Sequence, residues 1–272
     1  MRIRLGGSAI VGAVVAAALC VGAAVAAGQP QQGSADRIPR ARDGKPDLTG
    51  TWQALNTANW DIQDHAAHQG PVLALGAAFG VPPGAGVVDG NEIPYQPWAM
   101  AKKQEHAKHW MSLDPEVKCY MPGVPRATYQ PYPFQIVQTP TDILMAYEFA
   151  NASRIVYMTS KAEGQSEFWM GWSRGRWEGD TLVVDVTSFT DKTWFDRAGN
   201  FHSTELHVIE RYTPTSRYHI NYEVTIEDPK VFTRPWKMRM PLYRRMEPHV
   251  RPLEYVCVEF VEELMYGHLK RK

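Results

Sequence analysis

The stretch ELHVIERYTPTSRYHINYEVTIE, Glu205 to Glu227, reads as two β-strands joined by a tight link. Leu206 and Val208 fall on one face of the first strand, and Ile220, Tyr222, Val224 and Ile226 on one face of the second. Side chains alternate sides along a strand, so a period of two in hydropathy marks a sheet with one face buried. The link TPTSR is short enough to make the two strands antiparallel neighbours. Immediately upstream, Thr181 to Phe189 repeats the pattern with Leu182, Val184 and Val186, and RGRWEGD before it is a second short connection.

Working outward, short β-branched and aromatic runs separated by turn residues continue in both directions. Strands are expected at Phe134–Gln138, Ile143–Phe149, Arg154–Thr159, Phe168–Arg174, Trp236–Tyr243 and Glu254–Val261 in addition to the three above. No interval holds repeated crossover helices, which disfavours a parallel sheet. The expected fold is therefore mainly β, an antiparallel meander closing into a barrel or a two-sheet sandwich. The segment between Asn56 and Arg126 is rich in Gly and Pro and is expected to wrap around it, with one helix near Pro97 to Met111.

The polar faces of these strands carry Asp185 and Thr187, then Glu205, His207 and Arg211, then His219, Asn221, Glu223 and Thr225. They either meet water outside an apolar-filled barrel or line a polar pocket, and exposure is the commoner outcome for an antiparallel sheet.

Arg2, Arg4 and the small apolar run Ala9–Ala24 have the form of an export signal, with Ala24-Val25-Ala26 fitting a cleavage site. The reading places a signal peptide at residues 1–27, a flexible leader at 28–45 and a single β-rich domain at 46–272, in a periplasmic or secreted protein. A retained membrane anchor is the alternative for the first segment, and Cys20 raises a lipoprotein reading that Leu19 before it opposes. Removing the signal leaves 27 basic against 29 acidic residues, with no Lys/Arg run except the terminal HLKRK. Neither nucleic acid nor, after signal cleavage, a membrane is indicated as a partner. Cys119 and Cys257 are then the two remaining cysteines, and an oxidising compartment favours one bridge between them over two separate buried thiols.

Candidate chemistry concentrates in DKTWFDRAGNFHS, Asp191 to Ser203. His202 and Asp196 suit a general base and its orienting carboxylate, Arg197 suits a developing negative charge, and Asp191 and Glu205 flank them. The same residues also suit a turn built on Gly199-Asn200. His202, Glu205 and His207 offer three ligand types close together but match neither the helical H-E-x-x-H pattern nor a Cys-based site. The pairs His65/His68 and His106/His109 have a helical i, i+3 spacing that two converging helices could use for zinc or copper, but one lies in a weakly helical segment and the other in a charged, solvated helix, so neither a metal nor an organic cofactor is expected. Aromatics are the broader clue. Trp169, Trp172, Trp194, Trp236, Tyr147 and Tyr222 can wall a cavity for a small apolar ligand or simply fill a curled sheet.

The blocks PDLTGTW, DPEVKCYMPGVPR, PYPFQIVQTP, WMGWSRGRWEGDTLVVDVTSF and DKTWFDRAGNFHSTELHVIERY resemble a widespread group of exported bacterial proteins without an established activity. That resemblance implies export and a β-rich body, and carries over no site residue. Gly50-Thr51-Trp52 resembles the G-x-W motif of lipocalins and their calycin relatives. It implies a barrel closed at one end by the tryptophan and open at the other to a small apolar ligand. The insertion between Asn56 and Arg126 departs from a compact lipocalin. The leading expectation is an exported barrel that binds a small hydrophobic or aromatic molecule. The alternatives are a cofactor-independent acid/base enzyme using loop 191–205, and a structural envelope protein.

Overall fold

A computed structural model of the chain describes residues 37–70 and 72–269, so the expected signal peptide and the first half of the expected leader lie outside the described residues. Among the described residues, nine strands close into one barrel: β1 (Gly50–Ala54), β4 (Phe134–Gln138), β5 (Asp142–Tyr147), β6 (Ser153–Tyr157), β7 (Trp172–Glu178), β8 (Thr181–Thr187), β9 (His207–Pro214), β10 (His219–Glu227) and β11 (Trp236–Arg244). Each pairs with its neighbours in that order, and β1 closes the ring between β11 and β4. β2 (Asp64–His65) and β3 (Gly84–Ala85) form a separate small ribbon in the wrap.

The segment Glu205–Glu227 behaves as its alternation requires. Tyr212 lies opposite Tyr222, Glu210 opposite Val224 and Val208 opposite Ile226, all six fully buried. Leu182, Val184, Val186 and Ile220 join them in the lumen. Burying an aliphatic side chain of this size contributes about 1.5–3 kcal/mol, so the apolar layer supplies on the order of 10 kcal/mol. That is enough to carry the Arg154–Glu210 charged pair that the lumen also contains. His207, Arg211, His219, Asn221, Glu223 and Thr225 face outward, toward water rather than into a pocket.

A purely antiparallel meander is corrected in one place. Strand direction can alternate all the way round a closed ring only if the number of strands is even. Nine strands therefore force a parallel neighbour, and it falls at β6–β7, where Val156 pairs with Ser173 and Tyr157 with Arg174. The expected strand Phe168–Arg174 starts late, at Trp172, because Gly171 adopts φ +65° and breaks the ladder.

The expected strand Glu254–Val261 is absent. Its β-prone residues find no open sheet edge in a closed barrel, and the segment runs irregularly to Phe260, at φ +53°, then into α4 (Val261–Tyr266). A Cys119–Cys257 disulfide, with Cα atoms 5.8 Å apart, holds this tail to the wrap. The expected helix appears as α1 (Pro97–Lys108) followed after His109 by a single turn, α2 (Trp110–Leu113). No helix among the described residues is long and apolar enough to cross a membrane.

The two barrel ends differ. At one, Trp52 is buried, donates to the Leu48 carbonyl at 2.9 Å and lies 4.4 Å under the Arg244 guanidinium. Gly50 leaves the space that guanidinium occupies; a β-carbon there would overlap Arg244. At the other end α3 (Arg126–Tyr129) of the wrap, the loop after β8 and the β10–β11 connection bring Tyr129, Phe195 and Phe232 together with Trp236 of β11, with the Tyr129 hydroxyl donating to the Phe195 carbonyl at 2.8 Å.

Candidate functional site

The parallel seam is the least paired wall of the barrel, and a cleft opens beside it. The chain crosses from the end of β6 back to the start of β7 through residues 158–171, which lie against the seam. Gly171 makes the return possible twice over. Its φ is +65°, and a β-carbon would sit 2.6 Å from Val186 and 2.8 Å from the Phe189 ring. The cleft, about 420 Å³, is lined chiefly by Met121, Ile155, Tyr157, Phe168, Trp169 and Trp172, with Glu167 exposed on its lining; Arg154 and Ser173 border it from β6 and β7 with their side chains turned to the lumen. Its walls are braced ring on ring: Trp172 stacks on Tyr157 at 4.7 Å, and Trp169 packs on Tyr120 at 4.9 Å. The Trp172 indole N–H is tied to the Ala162 carbonyl at 3.0 Å.

Below the floor lies a polar network inside the lumen. Arg154 and Glu210, each at most 5% exposed, form a two-pronged ion pair with Nη1 to Oε2 at 2.6 Å and Nη2 to Oε1 at 2.9 Å. Three tyrosines complete it. Arg154 Nε donates to the Tyr147 hydroxyl at 3.1 Å and Nη2 to that of Tyr212 at 3.1 Å, while Tyr212 and Tyr222 donate to Glu210 Oε1 at 2.8 and 2.6 Å. Burial alone would lower the Arg154 pKa, but the Glu210 carboxylate outweighs it and holds the guanidinium above its ordinary value. Burial and then the Glu210 charge push the hydroxyls of Tyr212 and Tyr222 well up, so both stay protonated donors.

Of the six aromatic candidates, the structure brings four to this region. Trp169 and Trp172 wall the cleft, and Tyr147 and Tyr222 belong to the network beneath it. Trp194 and Trp236 sit elsewhere, the first stacked on His106 at 4.3 Å, the second edge-on to Phe195 and Phe232 in the covered end.

The five loop candidates do not converge, and no hydrogen bond or ion pair joins any two of them. His202 is buried beside Phe189 and Phe195. Its Nδ1 lies 2.9 Å from the Ser203 carbonyl, to which it donates, and its Nε2 then accepts from the Thr193 hydroxyl at 2.6 Å. Burial lowers its pKa, consistent with a neutral ring. Asp196 is fully buried and accepts from the backbone N–H of Ile62 and Asn200 and from the Asn200 side chain. Burial and the neighbouring charge of Asp61 push it up to about 7. Arg197 lies between the rings of Trp60 and Trp110, 4.5 and 4.8 Å away, and pairs with Glu116 and Glu262. Asp191 is exposed, and Glu205 pairs on the surface with Lys230 at 3.0 Å. His207 bridges Asp185 and Glu227 across the outer face at 3.1 and 3.0 Å. Among the described residues no group of three or more His, Cys, Asp or Glu is placed to hold a metal.

Arg154, Ser173 and Glu210 were missed from sequence. Their signal was present in the alternation: Glu210 stands in phase with the inward-facing Val208 and Tyr212, and Arg154 in phase with Val156. A charged residue on an apolar phase of a strand marks a buried pair when a second of opposite sign does the same.

Comparison with family models, with curated proteins and with solved structures finds no match. Of the two resemblances drawn from sequence, what the structure supports is the barrel architecture.

Proposed function

We propose that this chain is an exported barrel protein that binds a small hydrophobic or aromatic molecule in the cleft at the β6–β7 seam. The observation that carries the reading is the cleft itself: about 420 Å³, walled by tryptophans, a tyrosine and aliphatic side chains, with the exposed Ser153 and Glu167 as polar groups on its lining. Few convergent polar groups in an otherwise apolar concavity are the usual constitution of a small-molecule site. Binding is favoured over acid/base chemistry at loop 191–205, because His202 has both ring nitrogens engaged within the protein. Export draws support from the Cys119–Cys257 bridge, which persists in oxidising compartments.

Native mass spectrometry of protein purified from its natural host tests the reading. A bound species of a few hundred daltons, lost on Trp169→Ala, is expected. Retention of the same species by Trp169→Ala and by Trp172→Ala would place it outside the cleft and refute the assignment. N-terminal sequencing of the mature chain tests export, with a start near Ala27 or Gly28 expected.

A further inference from the structure

The charge that a ligand meets on the lining of the seam cleft has one sign. Arg154 borders the cleft, but its guanidinium is turned to the lumen and committed to both oxygens of Glu210, at 2.6 and 2.9 Å. The other charged residue of the lining is Glu167. It is exposed, and no hydrogen bond or ion pair with a described residue holds its carboxylate, which is therefore free to turn over the cleft. Arg174, which follows Trp172 on the same face of β7, is already met by Glu163 at 3.5 Å and Asp185 at 3.9 Å.

The rings favour the same sign of ligand. An aromatic face is negative and attracts a cation. Tryptophans elsewhere in this chain are used in that way: the Arg244 guanidinium lies 4.4 Å over Trp52, and that of Arg197 lies 4.5 and 4.8 Å from Trp60 and Trp110. Among the described residues no Lys or Arg lies over Tyr157, Phe168, Trp169 or Trp172. These four rings are half-buried, and Trp172 is braced by Tyr157 at 4.7 Å and Phe168 at 5.6 Å, so little side-chain freedom is lost when a ligand settles on them.

We propose that the seam cleft takes an organic cation, a quaternary ammonium group carried on an apolar body, with Trp169 and Trp172 supplying ring faces and Glu167 the counter-charge. This rests on the seam cleft being the binding site. A quaternary ammonium has no N–H to satisfy, so it enters a wall of rings without stranding a donor. Carboxylates of the same shape are disfavoured, because Glu167 repels them and no free cation on the lining meets them.

Equilibrium dialysis of the full chain at pH 7 against benzyltrimethylammonium, its uncharged carbon analogue neopentylbenzene, and phenylacetate tests charge preference and site separately. The ammonium should bind about fivefold or more tighter than neopentylbenzene, the range of a ring–cation contact, and phenylacetate should bind weakest. Glu167→Gln should weaken the ammonium about threefold, as expected for one exposed charge, and leave neopentylbenzene unchanged. Trp169→Leu keeps an apolar wall but removes a ring face, so it should weaken the ammonium more than the hydrocarbon. Neopentylbenzene or phenylacetate binding at least as tightly as the ammonium, with binding lost in Trp169→Ala, would overturn the charge preference while leaving the site standing. An ammonium affinity indifferent to Glu167→Gln, or a loss shared equally by the hydrocarbon, would overturn the role of Glu167. Binding of none of the three, or binding indifferent to Trp169→Ala and Trp172→Ala, would overturn the site and the preference together.

Discussion

Substituting Glu210 by Gln keeps the shape of the lumen and removes one charge. The amide oxygen can remain at the Oε1 position, where it still accepts from Tyr212 at 2.8 Å and Tyr222 at 2.6 Å. Its nitrogen then faces Arg154 Nη1, which in the native chain lies 2.6 Å from Oε2. A donor confronts a donor, and a guanidinium on a residue 5% exposed is left without its counter-charge. Removing one partner of a buried pair costs about 3–5 kcal/mol, a large part of the 5–15 kcal/mol that stabilises a typical domain. Arg154→Met should cost a similar amount for the mirror reason. The double variant Arg154→Met/Glu210→Gln removes both charges and retains an acceptor for both tyrosines. It should be no less stable than either single variant, giving a coupling energy of about 3 kcal/mol or more. Urea unfolding followed by tryptophan fluorescence measures all four corners of the cycle. Additive effects, or a Glu210→Gln loss under about 1 kcal/mol, would refute the claim that the lumen is organised around a dry, saturated pair.

Gly171→Ala should lose about 1–3 kcal/mol and weaken any cleft ligand, since the new carbon meets Val186 and Phe189 at a left-handed φ; unchanged urea midpoint and affinity would contradict this. Replacing Cys119 and Cys257 by Ser opens a link spanning 138 residues, worth roughly 5 kcal/mol in the chain-entropy model. The tail, however, exposes 80% of Val256 and 70% of Leu264, so it can detach while the barrel stays folded. The expected outcome is rapid proteolysis between Leu253 and Leu264 with a loss of global stability well under 5 kcal/mol, and a full loss in urea unfolding would sink that account. For pH, Asp196 is raised from 3.8 to about 7 in the folded chain, which therefore holds the proton more tightly than the unfolded one. Its contribution is complete below about pH 4 and lost as pH rises to about 7, at up to about 1.4 kcal/mol per unit. Asp196→Asn should flatten that slope. His207, raised first by its hydrogen bond to Asp185, adds stability below its unfolded pKa of 6.5 that is lost as pH rises through the folded value, and an NMR titration midpoint at or below 6.5 would refute it.

How much of this was legible in sequence differs by element. The strands β8, β9 and β10 were readable because Leu182, Val184, Val186, Val208, Ile220, Tyr222, Val224 and Ile226 sit at period two, and one buried face is all that pattern requires. Trp169 and Trp172 were readable as aromatic wall because their size and number exceed what strand surface needs. Their partner groups were not. Arg154 and Glu210 are 56 residues apart and become a pair only because β6 and β9 curve to face each other across the lumen. The loop Asp191–Ser203 misled in the opposite sense. Acids, bases and His202 cluster in sequence there, yet the packing turns Asp196 and Arg197 toward different partners, Asn200 and Ile62 for one, Glu116 and Glu262 for the other. Proximity along a chain fixes distance but not direction.

The segment Glu254–Val261 makes the same point for the fold. Its alternating valines have the propensity of a strand, and propensity alone called for one. A strand also needs an edge to pair with, and the closed ring left none. By itself, then, the sequence determined what short-range physics can determine: which segments are prone to extend, and which of their faces turn inward when they do. Only the tertiary structure decided the strand count, and with it everything at the site. An odd ring cannot alternate throughout, so one wall had to be parallel, and the crossover that wall demands is what sets Trp169 and Trp172 beside Arg154 and Ser173.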